Sequence, residues 1–338
     1  MTPLRVVHAV ASDAFAGVER YISDVARELS DRGHSVTVVG GDAQRVRAAV
    51  GPGVEHVVAA TVREVAHQVR RHRDADVIHV HMTEAEIATA VSRPRGALVA
   101  TRHFAAPRGS GMPARMAGRI VRRSLDLQIS ISEFVARAIE EPSVVLHNGV
   151  RPSVRVPGPR DRIILLLQRL EREKDTSTAL HAWQLSELGA QGWRMRICGT
   201  GAQADELRKL AATLGVASTV DFAGFVSEPR GELAAAAVLL APAPAEPFGL
   251  AVVEAMAEGN AVVAADGGAH RETLGDAGVF FPPGDAHSCA RALAMLAQDD
   301  EGRSDHARQL RERANELFTL DRHVTALEEL YETAVQRG

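Results

Sequence analysis

Short apolar runs alternate with amphipathic stretches along nearly the whole chain, always in the same order. Residues 5–10 carry the pattern of a short buried strand. Residues 18–30 then place Val18, Tyr21, Ile22, Val25, Ala26 and Leu29 on one face at helical spacing. Gly33 stops that helix and residues 34–39 read as the next strand, which completes a βαβ unit. The rhythm continues with strands predicted at 54–59, 75–81, 97–101, 126–132 and 143–147 and helices at 62–72 and 84–91. Strands and helices in this alternation imply a parallel, doubly wound sheet.

Residues 148–159 interrupt the rhythm, being rich in Pro and Gly without periodicity, and read as a linker. A second series follows at once. Its first strand, 162–168, centres on Ile163, Ile164, Leu165, Leu166 and Leu167, and its next helix carries Leu180 and Trp183. Strands at 195–198, 220–225, 238–242 and 261–265 and a helix at 204–214 extend it, and a strongly amphipathic helix at 320–335 closes the chain. A length of 338 residues suits two domains of ~150 residues. The pattern therefore predicts an α/β protein of two Rossmann-like domains joined by one hinge.

Composition narrows the function more than the fold. A net charge of −4 and 4% aromatic residues argue against a dedicated nucleic-acid binder. Cys198 and Cys289 sit in apolar settings, so core packing is expected, with neither a disulfide framework nor a metal spacing. The first apolar run is too short for a signal peptide, and no run reaches the ~18 residues a membrane span needs. A cytoplasmic location is expected. From Arg93 to Arg123 there are eight arginines and no acidic residue, with Arg115, Arg119 and Arg122 on one face of a predicted helix and Met116, Ile120 and Val121 favouring another. That stretch suits either a solvated face or peripheral contact with the inner face of an anionic membrane.

Candidate chemistry clusters where strands end. In residues 246–259 a loop runs into a helix: Pro247 breaks earlier structure, Gly249 permits a tight turn, and Leu250, Val253 and Met256 recur at helical spacing before Gly259. The amides of Phe248, Gly249 and Leu250 are then first-turn donors suited to a phosphate, bracketed by Glu246 and Glu254. Arg169 and Lys174 follow the first strand of the second series and together would neutralise a diphosphate, unless they pair on the surface with Glu171 and Glu173. Gly17 opens a helix, either as a turn residue or to admit a ligand, and His81 and His103 both sit at strand ends. Gly199 and Gly201 are only a fragment of a dinucleotide fingerprint, so a nicotinamide enzyme is poorly supported.

Taken together these segments resemble the retaining, nucleotide-sugar-dependent glycosyltransferases of the GT-B fold, family 4 or group 1. The resemblance covers nearly the whole chain. It rests on Ala16, Gly17 and Glu19, on His103, on Asn148, Gly149 and Val150, on Arg169 to Lys174, and on the Glu246 to Glu254 spacing with Pro247, Phe248 and Gly249. Where the family usually has two glycines this chain has Ala16 and Gly17, Asp175 stands where Gly is common, and Arg151 follows the hinge motif where Asp is common. Asp175 would either weaken the anion site or cap the next helix.

The resemblance implies two doubly wound domains facing each other across a cleft: an acceptor-side domain at 1–150, a hinge at 151–160, a nucleotide-sugar domain at 161–318 and a helix at 319–338 crossing back. It implies catalytic roles for His103, Arg169, Lys174 and Glu246. Donor contacts fall to Gly17, Val226, Phe248, Gly249, Leu250 and Glu254. The co-substrate would be a nucleoside diphosphate sugar, UDP-linked in preference to GDP-linked, with no metal and no further cofactor. The acceptor would be a small molecule, a glycan or a lipid-linked hydroxyl. A GT-B-type epimerase or phosphorylase, a two-lobed binding protein and a catalytically silent relative are the competing readings. A glycosidase pair needs carboxyls ~5–9.5 Å apart across one bond, whereas here one carboxylate would face sugar and the other ribose.

Overall fold

The computed structural model describes residues 2–92, 94–106, 108, 118–119, 121–139, 142–154 and 158–337. The chain forms two compact units, one built from Met1–Gly149 with Leu320–Gly338 and the other from Val150–Thr319.

In the first unit seven parallel strands, β1 (Arg5–Ala9), β2 (Ser35–Val39), β3 (Val54–Val57), β4 (Val77–His81), β5 (Ala97–Arg102), β6 (Leu127–Ser130) and β7 (Val144–Val145), lie in the order β3-β2-β1-β4-β5-β6-β7. Helices α1 (Gly17–Asp31), α2 (Ala43–Val50), α3 (Val62–Arg71), α4 (Met82–Ser92) and α5 (Glu133–Ile139) connect them. Alternation along each strand sorts side chains onto two faces. Val7, Ala9, Ile78, Val80, Leu98 and Ala100 pack with Val65 and Val69 of α3 and with Ala85 and Ala88 of α4. Val6, Val36, Val38, Val77 and Val99 pack on the opposite face with Ile22, Val25, Ala26 and Leu29 of α1.

The second unit repeats the plan with six strands, β8 (Asp161–Leu167), β9 (Arg194–Cys198), β10 (Val220–Gly224), β11 (Ala236–Ala241), β12 (Ala261–Ala265) and β13 (Val279–Phe281), in the order β10-β9-β8-β11-β12-β13. Its helices are α6 (Thr176–Ser186), α7 (Ala204–Thr213), α8 (Pro229–Ala235), α9 (Leu250–Glu258), α10 (His270–Leu274), α11 (Ala286–Gln298) and α12 (Asp300–Leu317). Ile164, Leu166, Trp183, Trp193, Met195, Ile197, Val263 and Leu293 lie in its core. Both cysteines are buried thiols of this unit. Burial pushes Cys198 up to about 11 and Cys289 higher still.

The last helix, α13 (Leu320–Arg337), belongs to the first unit, where Leu320, Val324, Leu327, Tyr331 and Ala334 join the α1 face of the sheet, each at most 2% exposed. Burying side chains such as Val324 and Leu327 contributes about 1.5–3 kcal/mol each. No described helix is long and apolar enough to cross a membrane. In each sheet the first strand in sequence sits inside the order, so the winding reverses between β1 and β4 and between β8 and β11. Ligands gather outside the carboxyl ends of strands at such reversal points.

Candidate functional site

At the second unit's reversal point the loops after β8 and β11 meet. Gln168, one residue beyond β8, donates its side-chain amide to the Lys174 carbonyl (3.1 Å) and to Thr176 Oγ1 (2.9 Å), which shapes the 168–175 loop. Arg172–Lys174 forms a single 3-10 turn. Asp175 follows with φ 48°, and its carboxylate accepts from the Thr178 amide, so it caps α6. Capping is thus the observed role of the residue that replaces the family's usual Gly. The Gly199 to Gly201 stretch lies directly against this loop. A Cβ on Gly199 would stand 1.8 Å from the Gln168 carbonyl oxygen, and one on Gly201 would stand 2.4 Å from that of Leu170. Close backbone approach explains these glycines.

Lys174 Nζ lies 2.6 Å from Glu246 Oε2, with 16% and 18% of the two side chains exposed. This charge-assisted bond ties the β8 loop to the β11 loop. The loop after β12 supports Glu246 from below: its carbonyl accepts from the Ala269 amide at 2.8 Å, and a Cβ on Gly268 (φ 59°) would stand 2.4 Å from the Glu246 backbone. His270, fully buried beside this pair, donates Nδ1–H to the Ala265 carbonyl at 2.9 Å, which leaves Nε2 as a lone pair with no partner among the described residues. Burial lowers its pKa, and Glu246 and Lys174 act on it with opposite signs.

Gly249 is the N-cap of α9, in the left-handed region at φ 88°, and no side chain caps the helix. The first-turn amides therefore start at Leu250, and Phe248 lies one residue ahead of the cap. Its ring is 2% exposed and packs edge-on against Phe318 at 5.9 Å. Glu254 is half-buried within α9, and Val226 is half-buried beyond β10. Arg169 is paired with Glu173 at 2.7 Å on the surface, and Glu171 accepts from the Ala202 amide at 3.0 Å. The structure thus brings Lys174, Glu246 and the open start of α9 together, and holds Arg169 in an exposed ion pair.

In the first unit Gly17 opens α1 exposed to solvent, and a Cβ there would meet nothing within 4 Å. The fold itself does not require glycine at this position. Glu19 is a structural cap, its carboxylate accepting from the Ala16 amide at 2.9 Å. His103 lies just beyond β5, 7% exposed, with Nε2 at 3.0 Å from His81 Nδ1. Burial, with Arg102 and His323 adding repulsion, lowers its pKa to about 3.

Sequence reasoning found no metal spacing, yet the fold gathers His8, His79 and His81 with ligand atoms within 4.8 Å of one another. His79 already uses both nitrogens, on Tyr331 Oη (2.6 Å) and Thr101 Oγ1 (2.7 Å), so the cluster is built for hydrogen bonding. The arginine-rich segment is also more structural than its charge suggests. Buried Glu86 receives Arg102 at 3.1 Å and Arg108, and Arg108 also donates to Gln128. Of the basic helix expected in this segment, Arg115, Met116 and Ile120 lie outside the described residues, as does Arg93 at the segment's start.

Two parallel, doubly wound α/β units define the class of fold, and the second brings a cation, a carboxylate and an uncapped helix start together at its reversal point. Comparison makes this definite. Residues 154–317 match the family model described as glycosyl transferases group 1, and residues 15–154 match glycosyltransferase family 4. The chain belongs to this glycosyltransferase family and has the GT-B fold. It is 29% identical over 338 residues to a phosphatidyl-myo-inositol mannosyltransferase of Mycolicibacterium smegmatis, covering 90% of this chain and 86% of that one. Against the protein of the same name from Mycobacterium tuberculosis it is 30% identical over 331 residues, covering 84% of each. Among solved structures, Anabaena Alr3699/HepE in complex with UDP and glucose superposes with a TM-score of 0.84 at 21% identity, over 97% of this chain and 99% of that one.

Proposed function

We propose that this glycosyltransferase moves a hexosyl group, with retention at the anomeric carbon and without a metal ion, from a nucleoside diphosphate sugar to a hydroxyl acceptor. The Lys174–Glu246 pair beside the uncapped start of α9 carries this reading. Lys174 and the Gly249 and Leu250 amides hold the diphosphate, joined by Arg169 once it leaves Glu173. Glu246 receives hydroxyls of the sugar, Glu254 those of the ribose, and the Val226 backbone meets the base. Gly17 lets the ligand approach α1, and His103 contacts the sugar or its phosphate.

As the anomeric C–O bond breaks, its electron pair passes to the diphosphate oxygen. The acceptor oxygen bonds to the same face of the carbon, and its proton goes to the departing diphosphate. A preorganised donor facing that developing charge is worth ~10²–10³ in rate. UDP is the favoured nucleotide, in keeping with the UDP in the Alr3699/HepE structure, and GDP is the alternative. The mannosyltransferase relatives favour a polyol or lipid-linked acceptor among the hydroxyl classes. Peripheral membrane contact would then use exposed arginines such as Arg119 and Arg123.

A thermal-shift panel of UDP, GDP, ADP and TDP in the presence of EDTA tests the site, because selective binding to the native state raises Tm. NMR of the anomeric proton in the product tests retention. An inverted product, or activity abolished by EDTA and restored by a divalent ion, refutes the proposal.

A further inference from the structure

The sheet face covered by α1 and α13 carries a line of imidazoles. His8 pairs in register with His79 on the neighbouring strand, and His81 pairs with Thr101, all on the side occupied by Val6, Val77 and Val99. His8 Nδ1 lies 3.0 Å from His81 Nε2, and His81 Nδ1 lies 3.0 Å from His103 Nε2. The three rings form a chain, each link using one nitrogen of each ring. His8 and His81 are fully buried, and burial lowers His8 to about 3 and His81 well below its usual value. All three are neutral near pH 7.

A neutral imidazole has one N–H and one lone pair, so only two proton arrangements satisfy both links. If protons point from His103 towards His8, then His8 Nε2 carries an N–H. If they point from His8 towards His103, that nitrogen is a bare lone pair. His8 Nε2 is buried and has no partner among the described residues. A buried N–H without an acceptor is rarer than an under-used acceptor, which selects the second arrangement. His103 Nε2 then accepts, and its proton sits on Nδ1. That nitrogen makes no hydrogen bond to a described residue.

The surroundings hold the rings in place. Met82, immediately after His81, has φ 71°, a strained conformation for a non-glycine residue. The Tyr21 ring stands edge-on to His103 at 5.2 Å and to His81 at 5.9 Å. Tyr21 Oη donates to His323 Nε2 at 2.9 Å, a direction fixed because His323 Nδ1–H donates to the His147 carbonyl at 2.6 Å.

We propose that His81, backed by His8, is a positioning residue that locks His103 as its Nδ1–H tautomer, so that His103 meets a sugar or phosphate oxygen as a hydrogen-bond donor and not as a base. The consequence for turnover rests on the role proposed for His103 above. The tautomer itself does not.

The test uses the full chain labelled with 13C and 15N in histidine and long-range 1H–15N correlation, with the His103 ring assigned by through-bond correlation to its own Cβ and backbone. The expected result is a neutral ring protonated at Nδ1, and protonation at Nε2 or an even mixture overturns the proposal even if no variant folds. His81→Asn keeps an amide able to donate to His103 Nε2 and should retain the tautomer and most of kcat. His81→Leu should release the tautomer and lower kcat by about tenfold to hundredfold, the worth of one hydrogen bond to a charged oxygen, with KM for the donor unchanged. Equal losses in the two variants, or undiminished kcat in folded His81→Leu, also overturn it. If no nucleoside diphosphate binds, the transferase site assignment fails while the wild-type tautomer still decides this proposal.

Discussion

Replacing Lys174 by Ala separates a structural from a catalytic role for the bond between the β8 and β11 loops. The pair is close, at 2.6 Å, and the two side chains are 16% and 18% exposed, so it is shielded but not dry. A hydrogen bond to a charged group contributes about 1.5–3 kcal/mol, discounted towards ~1 where solvent screens it. For a unit of this size, one kcal/mol moves Tm by roughly 2–4 °C, so Lys174→Ala should lower Tm by roughly 2–12 °C. Glu246→Gln should lose a similar amount. The double variant Lys174→Ala with Glu246→Gln should lose less than the sum, because each single change strands the other partner. The catalytic part is larger: loss of the cation should cut kcat ~10²–10³-fold and weaken UDP binding, while uridine without phosphates binds as before. Differential scanning fluorimetry, titration calorimetry and steady-state kinetics measure the three quantities. Lys174→Ala with lowered Tm but wild-type UDP affinity and turnover would refute the reasoning, leaving the pair as a strut.

Glycine substitutions should divide cleanly. Gly17→Ala meets no atom, so Tm should hold or rise by the worth of about 0.4–1 kcal/mol while kcat/KM falls, whereas Gly199→Ala, with its Cβ 1.8 Å from a carbonyl oxygen, should unfold the second unit in urea titrations. Glu86→Ala removes the carboxylate facing buried Arg102 and Arg108 and should cost about 3–5 kcal/mol, read from the urea midpoint. Burial lowers His8, His56, His79, His81, His103 and His323 in the first unit, against His270 and His306 in the second. The folded state then binds fewer protons than the unfolded one, so stability falls as pH drops below about 6.5, at up to about 1.4 kcal/mol per pH unit for each group. Acid titration should therefore abolish the near-UV signal of Tyr21 and Tyr331 before it changes the fluorescence of Trp183 and Trp193, and the reverse order would contradict the assignment.

Much of the fold was legible because its elements announce themselves locally. Strand β1 lacks a long apolar run, yet Val6 and Val7 followed by the face from Val18 to Leu29 sufficed to mark a βα unit. The unbroken apolar centre of β8 did the same for the second unit. Helix α2 escaped because Arg45 and Arg47 interrupt its two buried residues, Val46 and Val50, between glycine-rich flanks, although Asp42 caps it. Strand β13 has three residues, too few to show a period. At the site, the Glu246 to Glu254 stretch was readable as a loop entering a helix, whereas the ion pair with Lys174 spans 72 residues and depends on strand order. The histidine chain was hidden for the same reason: register between β1 and β4 brings His8 to His79, and single strands do not encode register. His270 was overlooked, although its position just after β12 and two glycines was the available signal.

The placement of α13 reverses the order in which the two units become complete during synthesis. The second unit is one continuous segment, Val150–Thr319, and needs nothing that follows it. The first lacks Leu320, Val324, Leu327 and Tyr331 from its core, and the hydroxyl partner of His79, until the final helix has been made. Translation runs at ~5–20 residues per second, so the interval between Gly149 and α13 is on the order of ten to thirty seconds. Throughout that time the nascent first unit, although the first to be translated, exposes the part of one apolar sheet face that α13 later covers beside α1.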